Sequence, residues 1–122
     1  MKFSNDHPIY LQIKNDFYQR ICNGNLRPGD KLPSVREMAI EVGVNPNTIQ
    51  RTYTDMERDG VVEKRRGQRS FVTDDEEIIN QLRSQMAEVE VNFFLNSMKQ
   101  MGYTNEEIQQ QITEVIKREG GS

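Results

Sequence analysis

The sequence predicts a mainly α-helical chain with one small β-hairpin, and three observations carry that expectation. Apolar residues recur at spacings of three and four over most of its 122 residues. Three Ser/Thr-x-x-Glu pairs, Ser34/Glu37, Thr73/Glu76 and Thr104/Glu107, stand where such stretches begin. Two short β-prone runs, 61–65 and 70–72, flank a basic turn that contains Gly67.

The first helix is expected to start near Pro8, which suits a first-turn position, and to turn Ile9, Ile13, Phe17 and Ile21 inward. Asn23 and Gly24 end it. A connector rich in turn residues, 25–33, follows, with Leu26 and Leu32 as its anchors to the core. Ser34 and Glu37 then form a capping box for a short second helix that buries Val35, Met38, Ala39 and Val42 and stops at Gly43. Asn45 as N-cap and Pro46 as first helical residue restart the chain at once. Two helices joined by so few residues cross steeply, which is helix-turn-helix geometry.

The third helix, 46–59, resolves into two faces at about 100° per residue. Ile49, Tyr53 and Met56 fall inward, while Asn47, Arg51, Thr54 and Arg58 fall outward with Thr48, Gln50 and Asp55 toward the edges. Amide, guanidinium and hydroxyl groups on one face match the chemistry of base edges and phosphates. After Gly60 the hairpin 61–72 places Arg65, Arg66, Gly67, Gln68 and Arg69 at its tip, a basic wing suited to an anionic partner.

Beyond the wing, Thr73 and Glu76 are expected to cap a long helix whose first turn is acidic. Its Ile79, Leu82, Met86, Val89 and Phe93 form a stripe broadened by Phe94 and Met98, the pattern of a seam that buries one helix against another. Gly102 breaks it. A last helix, capped by Thr104 and Glu107, carries Ile108, Ile112, Val115 and Ile116 on one face. The domains expected are therefore 1–72, a winged helix-turn-helix, and 73–122, a two-helix dimerisation region.

Composition bounds the function. At 34% hydrophobic and 29% charged residues, with a mean hydropathy of −0.81, the chain reads as a soluble one with a modest core and no membrane span. One cysteine (Cys22) and one histidine (His7) exclude an intramolecular disulfide and leave no soft-ligand metal cage, and no signal segment opens the chain, so the cytoplasm is expected. The net charge of −3 is unevenly spread: residues 1–72 hold 12 basic against 9 acidic side chains, residues 73–122 hold 4 against 10. A basic head can thus belong to an acidic protein. No P-loop, nucleophile elbow or dinucleotide glycine pattern is present, so neither an enzyme nor a cofactor is expected.

The segments Leu32-Pro33-Ser34-Val35-Arg36-Glu37-Met38-Ala39 and Val44-Asn45-Pro46-Asn47-Thr48-Ile49-Gln50-Arg51-Thr52-Tyr53 resemble the DNA-binding domain of the GntR family of bacterial transcription regulators. Asp59-Gly60-Val61-Val62, Arg65-Arg66-Gly67 and Ser70-Phe71-Val72 carry the resemblance into the wing. The short acidic tail is similar to the YtrA-type subfamily, which implies a homodimeric repressor, often of genes for transport systems; a dimer that presents two such modules calls for a palindromic double-stranded DNA operator. In that family an arginine early in the second helix, polar residues opening the third and the wing glycine approach DNA. Those places match Arg36; Asn45, Asn47, Thr48, Gln50 and Arg51; and Gly67. Pro46 stands where some relatives carry a basic residue, so one family contact is missing.

Together these readings give a DNA-contacting set of Ser34, Arg36, Asn45, Asn47, Thr48, Gln50, Arg51, Thr54, Arg58, Arg65, Arg66, Gly67, Gln68 and Arg69. The dimer set is Ile79, Leu82, Met86, Val89, Phe93, Phe94 and Met98. About fifty residues after the wing leave little room for an enclosed effector pocket of roughly 300 Å³ or more. An apolar effector against Met86, Phe93, Phe94 and Met98 and a plain dimer seam both fit those side chains, and the seam is the simpler reading. The competing class is a winged-helix module in which Arg36, Arg51 and the wing meet an acidic protein.

Overall fold

The computed structural model describes residues 1–65, 67 and 69–120. In chain order it contains α1 (Ile9–Cys22), α2 (Val35–Val42), α3 (Pro46–Arg58), β1 (Val62–Arg65), β2 (Arg69–Val72), α4 (Glu76–Gln100) and α5 (Asn105–Arg118). The chain is mainly α with one hairpin, as its periodicities predict. It divides into two compact units, Met1–Arg83 and Ser84–Ser122. Among the described residues no helix is long and apolar enough to cross a membrane.

In the first unit α3 is the central element, packed against α1, α2 and β1. Its Ile49, Tyr53 and Met56 are at most 2% exposed and meet Ile13, Phe17 and Ile21 of α1 in the same core. The Phe17 and Tyr53 rings lie edge to face, centroids 5.8 Å apart. The Tyr53 hydroxyl donates to Pro33 O at 2.7 Å, so α3 also fixes the connector immediately before α2. Ile9, expected inward, is 43% exposed: α1 begins at Ile9, and the first turn overhangs the core that Ile13 reaches.

Local signals account for the helix ends. Ser34 Oγ accepts from Glu37 N and Glu37 Oε1 accepts from Ser34 N, each at 3.0 Å. Gly43 then leaves α2 at φ 79°, the left-handed conformation that bends the chain into the turn before Asn45. Asn45 Oδ1 accepts from Asn47 N at 2.8 Å and caps α3. The Thr104/Glu107 box likewise opens α5.

The third expected box does not form. Thr73 is fully buried, its hydroxyl donates to Glu63 Oε1 at 2.8 Å and accepts from Asp75 N, and Asp75 Oδ1 receives Glu77 N. The Glu63 carboxylate across the hairpin takes the buried Thr73 hydroxyl in place of the local cap, and α4 starts two residues later than the sequence pattern suggests.

The hairpin pairs Val62 with Val72 and Arg65 with Arg69. The connector extends it: Leu32 N donates to Ser70 O, Val72 N donates to Asp30 O, and Lys31 bridges Phe71. This edge pairing was not foreseen, because Pro28, Gly29 and Pro33 read as turn residues. It seats Leu32, 2% exposed, in the core and ties the wing to the N-terminus of α2.

Polar contacts fasten the far end of α3 to α1. Asp59 Oδ2 receives Lys14 Nζ at 2.7 Å and the Tyr18 hydroxyl at 2.6 Å, with Asp55 beside them. Burial by itself would raise the Asp59 pKa, but the bonds from Lys14 and Tyr18 outweigh it and hold the carboxyl below its ordinary 3.8. A lowered carboxylate pKa stabilises the fold fully above the unfolded value and loses that contribution as pH falls through the folded one. Thermal unfolding followed by circular dichroism should therefore show a melting temperature that declines below about pH 3.8, and Asp59→Asn should lower the neutral-pH value while flattening that decline.

Candidate nucleic-acid interface

Burying one side of α3 leaves its other side to solvent. Asn47, Gln50, Arg51, Thr54 and Arg58 are exposed and Thr48 is half-exposed, so the structure brings the outward set together on one helix. The side chains differ in how they are held. Gln50 Nε2 donates to Thr54 Oγ1 at 3.4 Å, and Arg58 reaches Asp55 at 3.3 Å while its side chain stays 73% exposed. Arg51 lies over the Tyr10 ring, with Cζ 3.8 Å from the centroid. Tyr10 belongs to α1, and nothing local in the sequence marks it as a neighbour of Arg51.

A second patch lies where the N-terminus of α2 meets the wing. Ser34 and Arg36 are exposed there, and Lys31, Ser34, Glu37, Tyr53, Gly67 and Arg69 line a notch of about 410 Å³. The Glu37 carboxyl is held below the usual range, chiefly by the hydrogen bond from the Ser34 backbone, with Lys31 and Arg69 adding to the effect. Lys31 was not singled out from the sequence, although it directly precedes the Leu32-Pro33-Ser34 motif. Two cations and a helix N-terminus face this notch, an arrangement suited to a phosphate oxygen.

At the wing tip Gly67 is exposed with φ 69°, and an added Cβ would meet nothing within 4 Å. Its backbone conformation, rather than crowding inside the protein, is what calls for glycine. Arg69 is exposed on β2. Arg66 and Gln68 lie outside the described residues.

Arg65 is placed differently from its neighbours. Its Nη2 donates to Glu63 Oε2 at 3.1 Å and to Asp74 Oδ2 at 2.9 Å, and the guanidinium sits 5.3 Å from the Phe71 centroid. Glu63 in turn holds the buried Thr73 hydroxyl. The hydrogen bonds that Arg65 donates to Glu63 are the main reason its pKa is raised. Its donors are directed inward to the wing and the start of α4, and the sequence concealed this because Asp74 follows the hairpin as part of an acidic run.

The dimer set also separates. Leu82 is buried within the chain and Ile79, Met86 and Met98 are half-buried, whereas Val89 is 66%, Phe93 73% and Phe94 37% exposed. In the same unit as those three, Val91, Met101, Ile112, Val115 and Ile116 are exposed as well, while Ile108 is buried. For so small a unit this is a large apolar surface in contact with water.

The family model "Bacterial regulatory proteins, gntR family" matches residues 9–72, which covers α1, α2, α3 and the hairpin. The uncharacterized HTH-type transcriptional regulator YhcF of Bacillus subtilis is 50% identical over 107 residues, 88% of either chain. The HTH-type transcriptional repressor YtrA of the same organism is 42% identical over 67 residues, 55% of this chain and 52% of that one. A GntR family transcriptional regulator from Listeria monocytogenes superposes with a TM-score of 0.85 at 35% identity, covering 92% of this chain and 98% of that one. These likenesses favour DNA over an acidic protein as the partner of the α3 face. With a capped helix-turn-helix, a basic wing and relatives that match nearly end to end, this chain belongs to the GntR family and is a winged-helix DNA-binding transcription regulator.

Proposed function

We propose that the protein is a homodimeric, cytoplasmic repressor that reversibly occupies a palindromic operator, with α3 in the major groove and the wing along the neighbouring backbone. The observation that carries this reading is the asymmetry of α3: Ile49, Tyr53 and Met56 are sealed in the core while Asn47, Gln50, Arg51, Thr54 and Arg58 stand in solvent. Arg51 and Arg36 are suited to donate in pairs to guanine, and Asn47 and Gln50 to adenine. Ser34, Asn45, Thr48, Thr54 and Arg58 are assigned to phosphates, together with Arg69 and the Gly67 backbone.

Arg65 takes a different role in this reading. Its Nε and Nη2 are engaged by Glu63 and Asp74, whose carboxylates offset its charge, so it sets the pose of the wing and contributes little to charge neutralisation. One module of this size reads too few base pairs for an operator to be distinguished from bulk DNA. The apolar side chains Val89, Phe93 and Phe94, with Ile112, Val115 and Ile116, supply the reason to pair: a second copy would remove them from water and present two α3 helices to two half-sites. Repression accords with the family resemblance, as does control of transport genes.

Three measurements test this. Arg51→Ala should weaken binding to a duplex selected from random sequence by about 1 to 3 kcal/mol and relax one base position. Arg69→Ala should weaken binding evenly across sequences and reduce the slope of log affinity against log salt by about 1, whereas Arg65→Ala should leave that slope nearly unchanged. Sedimentation of the full chain should give a dimer at micromolar concentration, converted by Phe93→Glu to a species near 14 kDa; a wild-type monomer would rule out the paired reading.

A further inference from the structure

The Arg51 and Arg65 guanidinium groups are held in opposite ways, and the difference bears on how DNA is read. Around Arg65 the Nε and Nη2 donors are taken by carboxylates. Around Arg51 it is the flat face that is taken, by an aromatic ring, and Arg51 is in no ion pair among the described residues. A stacked guanidinium keeps its edge donors available, and those are the groups that pair with guanine O6 and N7.

We propose that Tyr10 of α1 is a positioning residue for sequence reading, holding the Arg51 guanidinium flat so that its donor edge meets one base in a fixed orientation. This rests on the assignment of Arg51 to a base contact. At 3.8 Å the pair is in stacking contact, whereas the other cation–ring pairs, of Lys14, Arg20 and Arg65, lie 5.3 to 5.9 Å apart. The Tyr10 backbone from which the ring projects is tied to α3. The fully buried Thr52 hydroxyl, next to Arg51 in the chain, lies 3.3 Å from Tyr10 O and 2.9 Å from Thr48 O, so one proton is shared between the two helices at this point. A long, exposed arginine would otherwise lose its rotameric freedom only on binding; stacking removes part of that freedom beforehand.

The test uses the full chain and a duplex selected from random sequence by the wild-type protein at stated salt. Tyr10→Leu should weaken that complex about three- to ten-fold and flatten the preference at the Arg51 base, while affinity for unrelated duplex stays the same. Tyr10→Phe should restore both. Fluorinating the ring of that Phe, which drains its negative face without changing its shape, should weaken the specific complex again and covers the case in which Tyr10→Leu unfolds. In an Arg51→Ala background all these differences should vanish.

Tighter binding by Tyr10→Leu would overturn the proposal by showing that the ring competes with DNA for the guanidinium. A loss that persists in the Arg51→Ala background would overturn it too, since the ring would then act by itself. If Arg51→Ala weakens the complex and the fluorinated ring does not, Tyr10 fails while the base assignment stands. If Arg51→Ala changes nothing, both fall.

Discussion

The architecture of the reading head depends on one contact, the burial of a single face of α3 against α1 and α2. Ile49, Tyr53 and Met56 are each close to fully buried, and each such side chain is worth roughly 1.5 to 3 kcal/mol when removed from water. Because the helix turns about 100° per residue, sealing those three positions forces Asn47, Arg51, Thr54 and Arg58 into solvent. In the proposed function, stability and DNA reading are thus the two sides of one helix.

The same contact determines where the other parts lie. Tyr53 reaches past its own helix to Pro33, which places the connector, and the connector pairs with β2, which places the wing beside the N-terminus of α2. The notch holding Lys31, Ser34 and Arg69 is a product of this chain of bonds. At the other end of α3, Lys14 and Tyr18 hold Asp59, and near its middle Thr52 meets Tyr10. α1 therefore supports α3 at both points, and under the proposed function a change on α1 would alter DNA recognition without touching DNA.

Electrostatics sorts the arginines within this frame. The charge split along the chain identifies a basic head, but a count of cations does not say which are available. Arg65 spends its hydrogen bonds on Glu63 and Asp74, Arg58 shares Asp55, and Arg51 gives up only its flat face. The proposed function accordingly gives them unequal roles, Arg51 in specificity, Arg69 in charge and Arg65 in the pose of the wing. The acidic start of α4 has a corresponding role: Asp74 braces the wing and Asp75 caps the helix.

What the sequence by itself determined is the part governed by neighbours in the chain. Capping at Ser34 and Thr104, the turn at Gly43, the start at Asn45 and Pro46, and the two faces of α3 depend on contacts within about four residues, so spacing reveals them. The motif resemblance adds the family for the same reason, since it too is a local pattern. Only the tertiary structure decided the connector's pairing with β2, the capture of Thr73 by Glu63, the burial of Leu82 against the exposure of Phe93, and the meeting of Tyr10 with Arg51. Each of these joins groups through space or weighs a local bond against a buried one, and an arginine's partner is chosen by distance in the fold, which no periodicity in the chain encodes.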